Sequence, residues 1–290
     1  MSALASRTGH DHLPAADFER ISALVGETIG IRLTPQKRLM VESRLRKRFR
    51  HTERAGFADY CRFLFDEGGL ETEMVHLVDA ITTNKTDFFR EAEHLHLMER
   101  QIVPELLQRR REPRPVVKVW SAASSNGAEA YSIAMILQDM IDAGRPFRYA
   151  LLGTDISTAV LEAARQAIYP ADAIAPVPRH LAERYVLRGR SPERGDQVRI
   201  APAIRRRVLF ERMNLMDATY PYDRDVDIVF LRNVLIYFDK TDQEAVVDRL
   251  LGHVRPGGFL IVGHSESMIV REGPVQQVAP GVYRKVQGGN

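Results

Sequence analysis

One cysteine in 290 residues, Cys61, rules out an intrachain disulfide framework and a cysteine-based zinc site. Its setting, DYCRFLF, is that of a small buried apolar residue rather than a reactive thiol. No stretch approaches the roughly 18 apolar residues of a membrane span. The opening MSALASRTGHDHLPAADF has no apolar core of the kind a signal peptide needs. A cytoplasmic location is therefore expected. The formal net charge of +3 is too small to imply a polyanionic partner, so no nucleic acid is expected. Internal repeats, low-complexity tracts and the dinucleotide fingerprint GxGxxG are all missing.

What is present is ordinary in amount and specific in place. Hydrophobic residues at 44% and charged residues at 27% suit a soluble globular chain long enough for two modest domains. After a loose tail to about residue 12, apolar residues recur three and four apart through FERISALVGETIGI, QKRLMVESRLRKRFRHTERAG, FADYCRFLF and ETEMVHLVDAIT. Gly30 and Gly56 stand near helix ends. The pattern predicts a small all-helical domain over residues 1–84. The charged, proline-broken RRREPRP (109–115) then leads into a different grammar.

From Pro115 onward, strand-like runs alternate with helical ones: VVKVWSA, AEAYSIAMILQDMI, RYALLGTD, STAVLEAARQAIY, RVLFERMNL, VDIVFLRN, KTDQEAVVDRLLGHV and FLIVGHSE. That alternation predicts an α/β domain over 85–290 with a parallel, doubly wound sheet. The last stretch, PVQQVAPGVYRKV, predicts an antiparallel edge hairpin. The segment from about Pro170 to Arg207 breaks the alternation. It is rich in proline, glycine and arginine and holds one strand-like piece, QVRIAP, which marks it as an insertion.

The strand ends carry the chemistry. After the first strand, SAASSNG lets the backbone pass close to a ligand at Gly127, and a helix N-terminus with free N–H groups follows. Without a second glycine, a pyrophosphate ligand such as NAD is disfavoured. The second strand ends in Asp155, 28 residues after Gly127, where such folds bind the two ribose hydroxyls of an adenosine. The same residue suits a helix N-cap. An adenosine ligand without pyrophosphate points to S-adenosylmethionine. The fourth strand emerges at Arg232 and Asn233, with Tyr237 four residues on.

The motifs TTNKTDFFRE, VWSAASSNGAEAYSIA, LLGTDIS, MNL, FLRNVLIYFDK and GGFLIVGHSE occur in the order of the CheR-type chemoreceptor glutamate methyltransferases, and the chain resembles that family over nearly its whole length. The pair TTNxTxFFR and RNxxIYFD carries the resemblance. It implies a Rossmann-like class I methyltransferase domain, preceded by a small all-α domain, with the 170–207 insertion as a small β-subdomain. It further implies an enzyme that uses S-adenosylmethionine, releases S-adenosylhomocysteine, and methylates glutamates on the cytoplasmic helices of chemoreceptors. Its contact with the membrane would be indirect, through the receptor, and a monomer is expected. By position, the resemblance assigns cofactor contacts to Asn84, Thr86, Arg90, Glu129, Asp155, Asn214, Leu215, Arg232 and Asn233. It places Arg90 and Tyr237 toward the reacting groups. The chain departs from the usual GEEPYS by having Ala128 and Ala130 beside the retained Glu129.

An acceptor helix that must expose glutamates gives meaning to the second helical stretch. Between Lys37 and Arg54 eight basic residues stand against Glu42 and Glu53. Val41, Leu45 and Phe49 form an apolar stripe. Arg44, Arg46, Lys47 and Arg50 are expected on the opposite face, as a docking surface for the receptor. Two alternatives remain: a catalytically silent relative that binds cofactor or receptor, and a methyltransferase with another acceptor. No metal site is expected, because His94 and His96 would face different sides of a helix. His264 has no assigned role.

Overall fold

The computed structural model describes residues 11–189, 196–271 and 273–286, and at residues 49 and 50 the backbone alone. The chain divides into two compact units between Thr83 and Asn84.

The first unit is four helices: α1 (Ala15–Ile29), α2 (Arg38–His51), α3 (Phe57–Asp66) and α4 (Leu70–Ile81). Phe18, Ile21, Val25 and Ile29 form the buried stripe of α1, each contributing about 1.5–3 kcal/mol on burial. Gly30 ends α1 in the left-handed region at φ 72°, its N–H bonded to the Gly26 carbonyl. Gly56 precedes α3 for a different reason. A Cβ there would lie 2.6 Å from Asp11 Oδ2, the oxygen that accepts the Phe57 N–H and caps the helix. Cys61 is buried, and burial pushes its thiol up to about 12.

The polar interior of this unit uses much of the basic helix. Glu73 is buried and takes a two-pronged bond from Arg48, Nε to Oε2 at 2.8 Å and Nη2 to Oε1 at 2.6 Å. The Tyr60 hydroxyl donates to the same carboxylate at 3.0 Å. Val41 and Leu45 are fully buried, as the stripe required. Two of the arginines expected to dock the receptor have partners within the unit. Arg44 donates to the carbonyls of Ile81 and Thr82 at 2.7 and 2.8 Å, closing the open end of α4. Arg46 donates to buried Glu42 at 2.8 Å and to the Asp11 carbonyl at 2.5 Å. Long guanidinium stems reach around a helix to unmet acceptors. Lys47 is exposed, with no partner among the described residues. The side chains of Phe49 and Arg50 lie outside the description.

The second unit opens with a helical stretch: α5 (Ala92–Leu97), a π turn over Met98–Ile102, and α6 (Val103–Gln108). Pro104 has no N–H to give, which suits the local change of hydrogen-bond pattern. Then come β1 (Val116–Ala122), α7 (Ala128–Asp142), β2 (Arg148–Asp155), α8 (Thr158–Gln166), β3 (Ile168–Pro170), α9 (Arg179–Tyr185), β4 (Val186–Arg188), β5 (Gln197–Ile200) and α10 (Pro202–Arg205). The chain continues with β6 (Val208–Arg212), β7 (Val226–Leu231), α11 (Lys240–Leu251), β8 (Val254–Val262), β9 (Val275–Ala279) and β10 (Val282–Lys285).

Seven strands form the main sheet in the order β6-β2-β1-β7-β8-β10-β9. All neighbours are parallel except the pairs of β10 with β8 and with β9. The C-terminal hairpin is thus the antiparallel edge the sequence predicts. Every residue of β7 is buried. Ile228 and Phe230 enter one core layer with α7 and Phe88, and Val229 and Leu231 enter the other with Trp120 and α11. A strand covered on both faces reads as a continuous apolar run. The insertion makes a separate three-stranded sheet, β3-β5-β4, antiparallel throughout and beginning at Ile168.

The order reverses between β1 and β7: the chain moves outward from β1 to β2 and β6, then from β7 to β8. Ligands of doubly wound sheets bind at such a reversal, outside the carboxyl ends of the strands.

Candidate active site

The loops at that carboxyl edge are strained. Among the described residues seven non-glycines have positive φ, and five of them are Phe89, Glu91, Ala123, Ser125 and Asn233. All five lie in segments that meet at this edge. Each such residue costs about 1–3 kcal/mol and persists only where the surroundings over-determine it.

One set of contacts surrounds the end of β2. Asp155 is buried, its Oδ2 accepting the Ser125 N–H at 2.9 Å and its Oδ1 the Ser157 N–H at 3.0 Å. The helix cap at α8 is Ser157, whose Oγ accepts the Val160 N–H, so the alternative N-cap role for Asp155 is not the one it fills. Ser125 Oγ donates to the Asn84 carbonyl at 2.8 Å, tying the segment that opens this unit to the β1–α7 loop. The Met213 N–H donates to the Asp155 carbonyl at 2.9 Å, which brings Asn214 and Leu215 to the same edge. Asn214 Oδ1 accepts the Met216 N–H, and Leu215 is buried. Asn84, Asp155, Asn214 and Leu215, expected together, are together. Thr86 is half-buried on the same segment.

A second set surrounds the end of β7. Arg232 is buried, with Nε 2.8 Å from Glu129 Oε2. Ser121 Oγ donates to the other Glu129 oxygen at 2.7 Å. The Arg232 guanidinium also donates to the Arg90 carbonyl at 2.5 Å and toward the Glu91 carbonyl at 3.4 Å. Asn233 Nδ2 donates to Glu91 Oε1 at 3.0 Å. The two long motifs, TTNKTDFFRE and RNVLIYFD, are therefore clasped to one another through four residues. Through its ion pair with Glu129 and its bonds to the Arg90 and Glu91 carbonyls, Arg232 fixes the course of the segment that carries Arg90. Phe88 and Phe89 are buried, Phe88 edge-on to Tyr169 at 4.9 Å, and the Phe89 N–H donates to Ser132 Oγ. The aromatic pair anchors the segment while Arg90 stays partly exposed, its guanidinium 3.4 Å from the Lys85 carbonyl. Tyr237 ends a short 3-10 turn, Leu235–Tyr237, and is half-buried.

Two acids escaped the reading of the sequence. Glu91 accepts from Asn233; burial alone would push its carboxyl up, but that bond and the Arg232 charge hold it below the ordinary range. Glu266 is fully buried and accepts the N–H groups of Gly263, Asn233 and Leu235 at 2.7–2.9 Å. It fastens the loop after β8 to the loop after β7, although burial raises its carboxyl above the usual value against those bonds. The only sequence signal was GHSE itself, an acid three residues past a glycine at a strand end.

Gly127 has a different reason from the one expected. A Cβ there would lie 2.9 Å from Phe210 and 3.0 Å from Ala164, and its φ is 85°. Packing and the turn demand the glycine. The edge nevertheless fits an adenosine-type cofactor. Ser124 Oγ, in the β1–α7 loop beside Gly153, is buried without a hydrogen-bond partner, and the Asp155 carboxylate and the N-terminus of α7 border the same loop. Those are hydroxyl, acid and amide groups of the kind a ribose and an amino-acid moiety engage.

Comparison with known proteins agrees with this geometry. Residues 84–282 match the family described as CheR methyltransferase, SAM binding domain, and residues 16–82 match CheR methyltransferase, all-alpha domain. The chain is 38% identical over 275 residues to a chemotaxis protein methyltransferase of Salmonella typhimurium, covering 93% of this chain and 91% of that one. It is 35% identical over 272 residues to chemotaxis protein methyltransferase 2 of Pseudomonas aeruginosa, covering 94% of each. With a chemotaxis protein methyltransferase of Borreliella burgdorferi it shares 31% over 271 residues, 93% of this chain and 94% of that one. No helix among the described residues is long and apolar enough to cross a membrane. The chain belongs to the CheR methyltransferase family and is an S-adenosylmethionine-dependent methyltransferase of chemotaxis.

Proposed function

We propose that this enzyme esterifies glutamate side chains on the cytoplasmic helices of chemoreceptors, working in the cytoplasm. The observation that carries the reading is the clasp between Arg90–Glu91 and Arg232–Asn233. It fixes the backbone at Arg90 and Glu91 while the Arg90 side chain stays partly exposed.

S-adenosylmethionine supplies an electrophilic methyl group when bound. Asn84, Thr86, Arg90, Glu129, Asp155, Asn214, Leu215, Arg232 and Asn233 are the residues proposed to hold it. Asp155 would take the ribose hydroxyls, with Asn214 and Leu215 on the adenine side. The acceptor glutamate, with an ordinary pKa of about 4.3, is ionised near neutral pH, so the reaction needs no general base. What the protein contributes is alignment and exclusion of water, and orientation of reactants lowers a barrier by roughly 7–11 kcal/mol. Arg90 orients the acceptor carboxylate through its planar fork. The Tyr237 hydroxyl places the acceptor oxygen. On the first unit, exposed Lys47 meets the acidic receptor helix, so docking weakens as salt rises.

The test is incubation with methyl-labelled S-adenosylmethionine and membranes carrying chemoreceptors of the same organism, followed by mild base. Label on the receptor that leaves as methanol supports a carboxyl methyl ester. Base-stable label, or label on RNA or small molecules alone, overturns the acceptor assignment. Cofactor binding with no label on any receptor favours a silent receptor-binding relative.

A further inference from the structure

We propose that Glu91, His94 and His264 hold a divalent transition-metal ion of the zinc class. The site shares Glu91 with the clasp and adds His94 and His264 to it. The spacing of His94 and His96 excluded a metal pair on one helix; the fold instead brings His94 to His264, their rings edge-on at 4.7 Å. The candidate ligand atoms of Glu91, His94 and His264 lie within 4.8 Å of one another.

The argument starts from the tautomer. His94 is 2% exposed, and its Nε2 stands 3.1 Å from the Pro280 carbonyl, which can only accept. Nε2 therefore carries the hydrogen, and in a neutral ring Nδ1 is a bare lone pair. That Nδ1 is buried without a hydrogen-bond partner and faces Glu91 Oε2 at 3.5 Å. Glu91 Oε2 also accepts the His264 backbone N–H at 3.3 Å, and a cation held between that oxygen and the bare Nδ1 would satisfy both lone pairs.

The surroundings are those of a metal ligand set. Metal-binding histidines regularly donate their second ring N–H to a backbone carbonyl, as His94 does to Pro280. Asn233 Nδ2 holds the other Glu91 oxygen and so aims Oε2. With metal–ligand bonds of about 2.0–2.1 Å, two tetrahedral ligand atoms stand roughly 3.4 Å apart, close to the spacing of Nδ1 and Oε2. Two imidazoles and one carboxylate select zinc-like ions over magnesium or calcium. His264 is exposed, so the fourth position opens to solvent and exchange is possible. Since Glu91 follows Arg90 and His264 follows β8, an ion here would join the two loops.

The test uses the full chain, stripped with chelator and titrated with cobalt chloride, followed by zinc competition against an indicator dye. Saturable binding of one ion per chain with visible d–d bands is expected. His264→Ala, which removes an exposed ring, should weaken binding on the order of 100-fold. His94→Gln should do the same while keeping a donor for Pro280, and His180→Ala, at an exposed histidine elsewhere, should change nothing. Absence of a tight ion overturns the proposal, as does tight binding unaltered by both site variants. A nitrogen-15 signal showing His94 Nδ1 protonated near neutral pH, and unmoved by stoichiometric zinc, also overturns it, because a proton is then the occupant.

Discussion

Arg232 Nε lies 2.8 Å from Glu129 Oε2, joining the end of β7 to the first turn of α7 with both side chains at most one-tenth exposed. The same guanidinium holds the Arg90 carbonyl, so the pair sets the course of the segment that carries the proposed catalytic arginine. Glu129→Gln leaves a buried arginine without its counter-charge and should cost about 3–5 kcal/mol. The double variant Glu129→Gln/Arg232→Met should recover part of that loss. Denaturant unfolding followed through the single tryptophan, Trp120, reads both. Additive losses would show that the two residues do not act as a pair.

Asp155→Asn replaces two acceptor oxygens by one oxygen and one amide. One of the N–H groups of Ser125 and Ser157 then faces a donor, at a cost of about 1–3 kcal/mol. The β1–α7 loop loosens, and a ribose loses its acceptor. S-adenosylhomocysteine should bind on the order of 10- to 100-fold more weakly by calorimetry. Unchanged affinity would remove Asp155 from the proposed cofactor site.

Arg90→Lys keeps the charge and loses the planar fork. We expect kcat for receptor methylation to fall on the order of 100-fold, and about tenfold for Tyr237→Phe. S-adenosylhomocysteine affinity should stay normal for Tyr237→Phe. Full kcat in both variants would leave the two residues without the proposed role.

Gly153 has no unusual φ, yet a Cβ there would stand 2.6 Å from the Phe210 ring. Gly153→Ala should destabilise by about 1–3 kcal/mol through overpacking. Combined with Phe210→Leu, which clears the ring edge, the loss should be smaller than the two single losses summed, by 0.5 kcal/mol or more on an order-of-magnitude basis. Strict additivity would place the strain elsewhere.

In the first unit, burial would push the Glu73 carboxyl up, but the hydrogen bonds from Arg48 and Tyr60 prevail and hold it below its usual value. A depressed carboxylate stabilises the fold above its unfolded pKa of about 4.3 and loses that contribution as pH falls through the lower folded value. Hydrogen exchange of the α2–α4 amides should show protection falling with acid below that point. Glu73→Gln should be less protected near neutral pH, by about 3 kcal/mol, with a flatter acid limb. A parallel shift with an unchanged slope would mean that Glu73 is not the titrating group.

The amino-acid sequence by itself determined the element order, the class of fold and the family. Helical and strand periodicities depend on which side of each segment meets apolar neighbours, and that is written locally. Thus Phe18, Ile21, Val25 and Ile29, or the unbroken apolar run of β7, could be read without coordinates. The strand-end residues Asp155, Arg232 and Asn233 were legible for the same reason, since a parallel sheet collects its carboxyl ends on one edge. Tertiary structure alone decided who holds whom. Arg44 and Arg46 left the outer face for carbonyls and an acid dozens of residues away in some cases, and Gly127 turned out to make room for Phe210. Glu91, Glu266 and the facing rings of His94 and His264 belong to segments more than a hundred residues apart in the chain. Hydrogen bonds and ion pairs across such separations have no period along the sequence; they exist only once the sheet has brought the loops after β7 and β8 beside the segment that opens the domain.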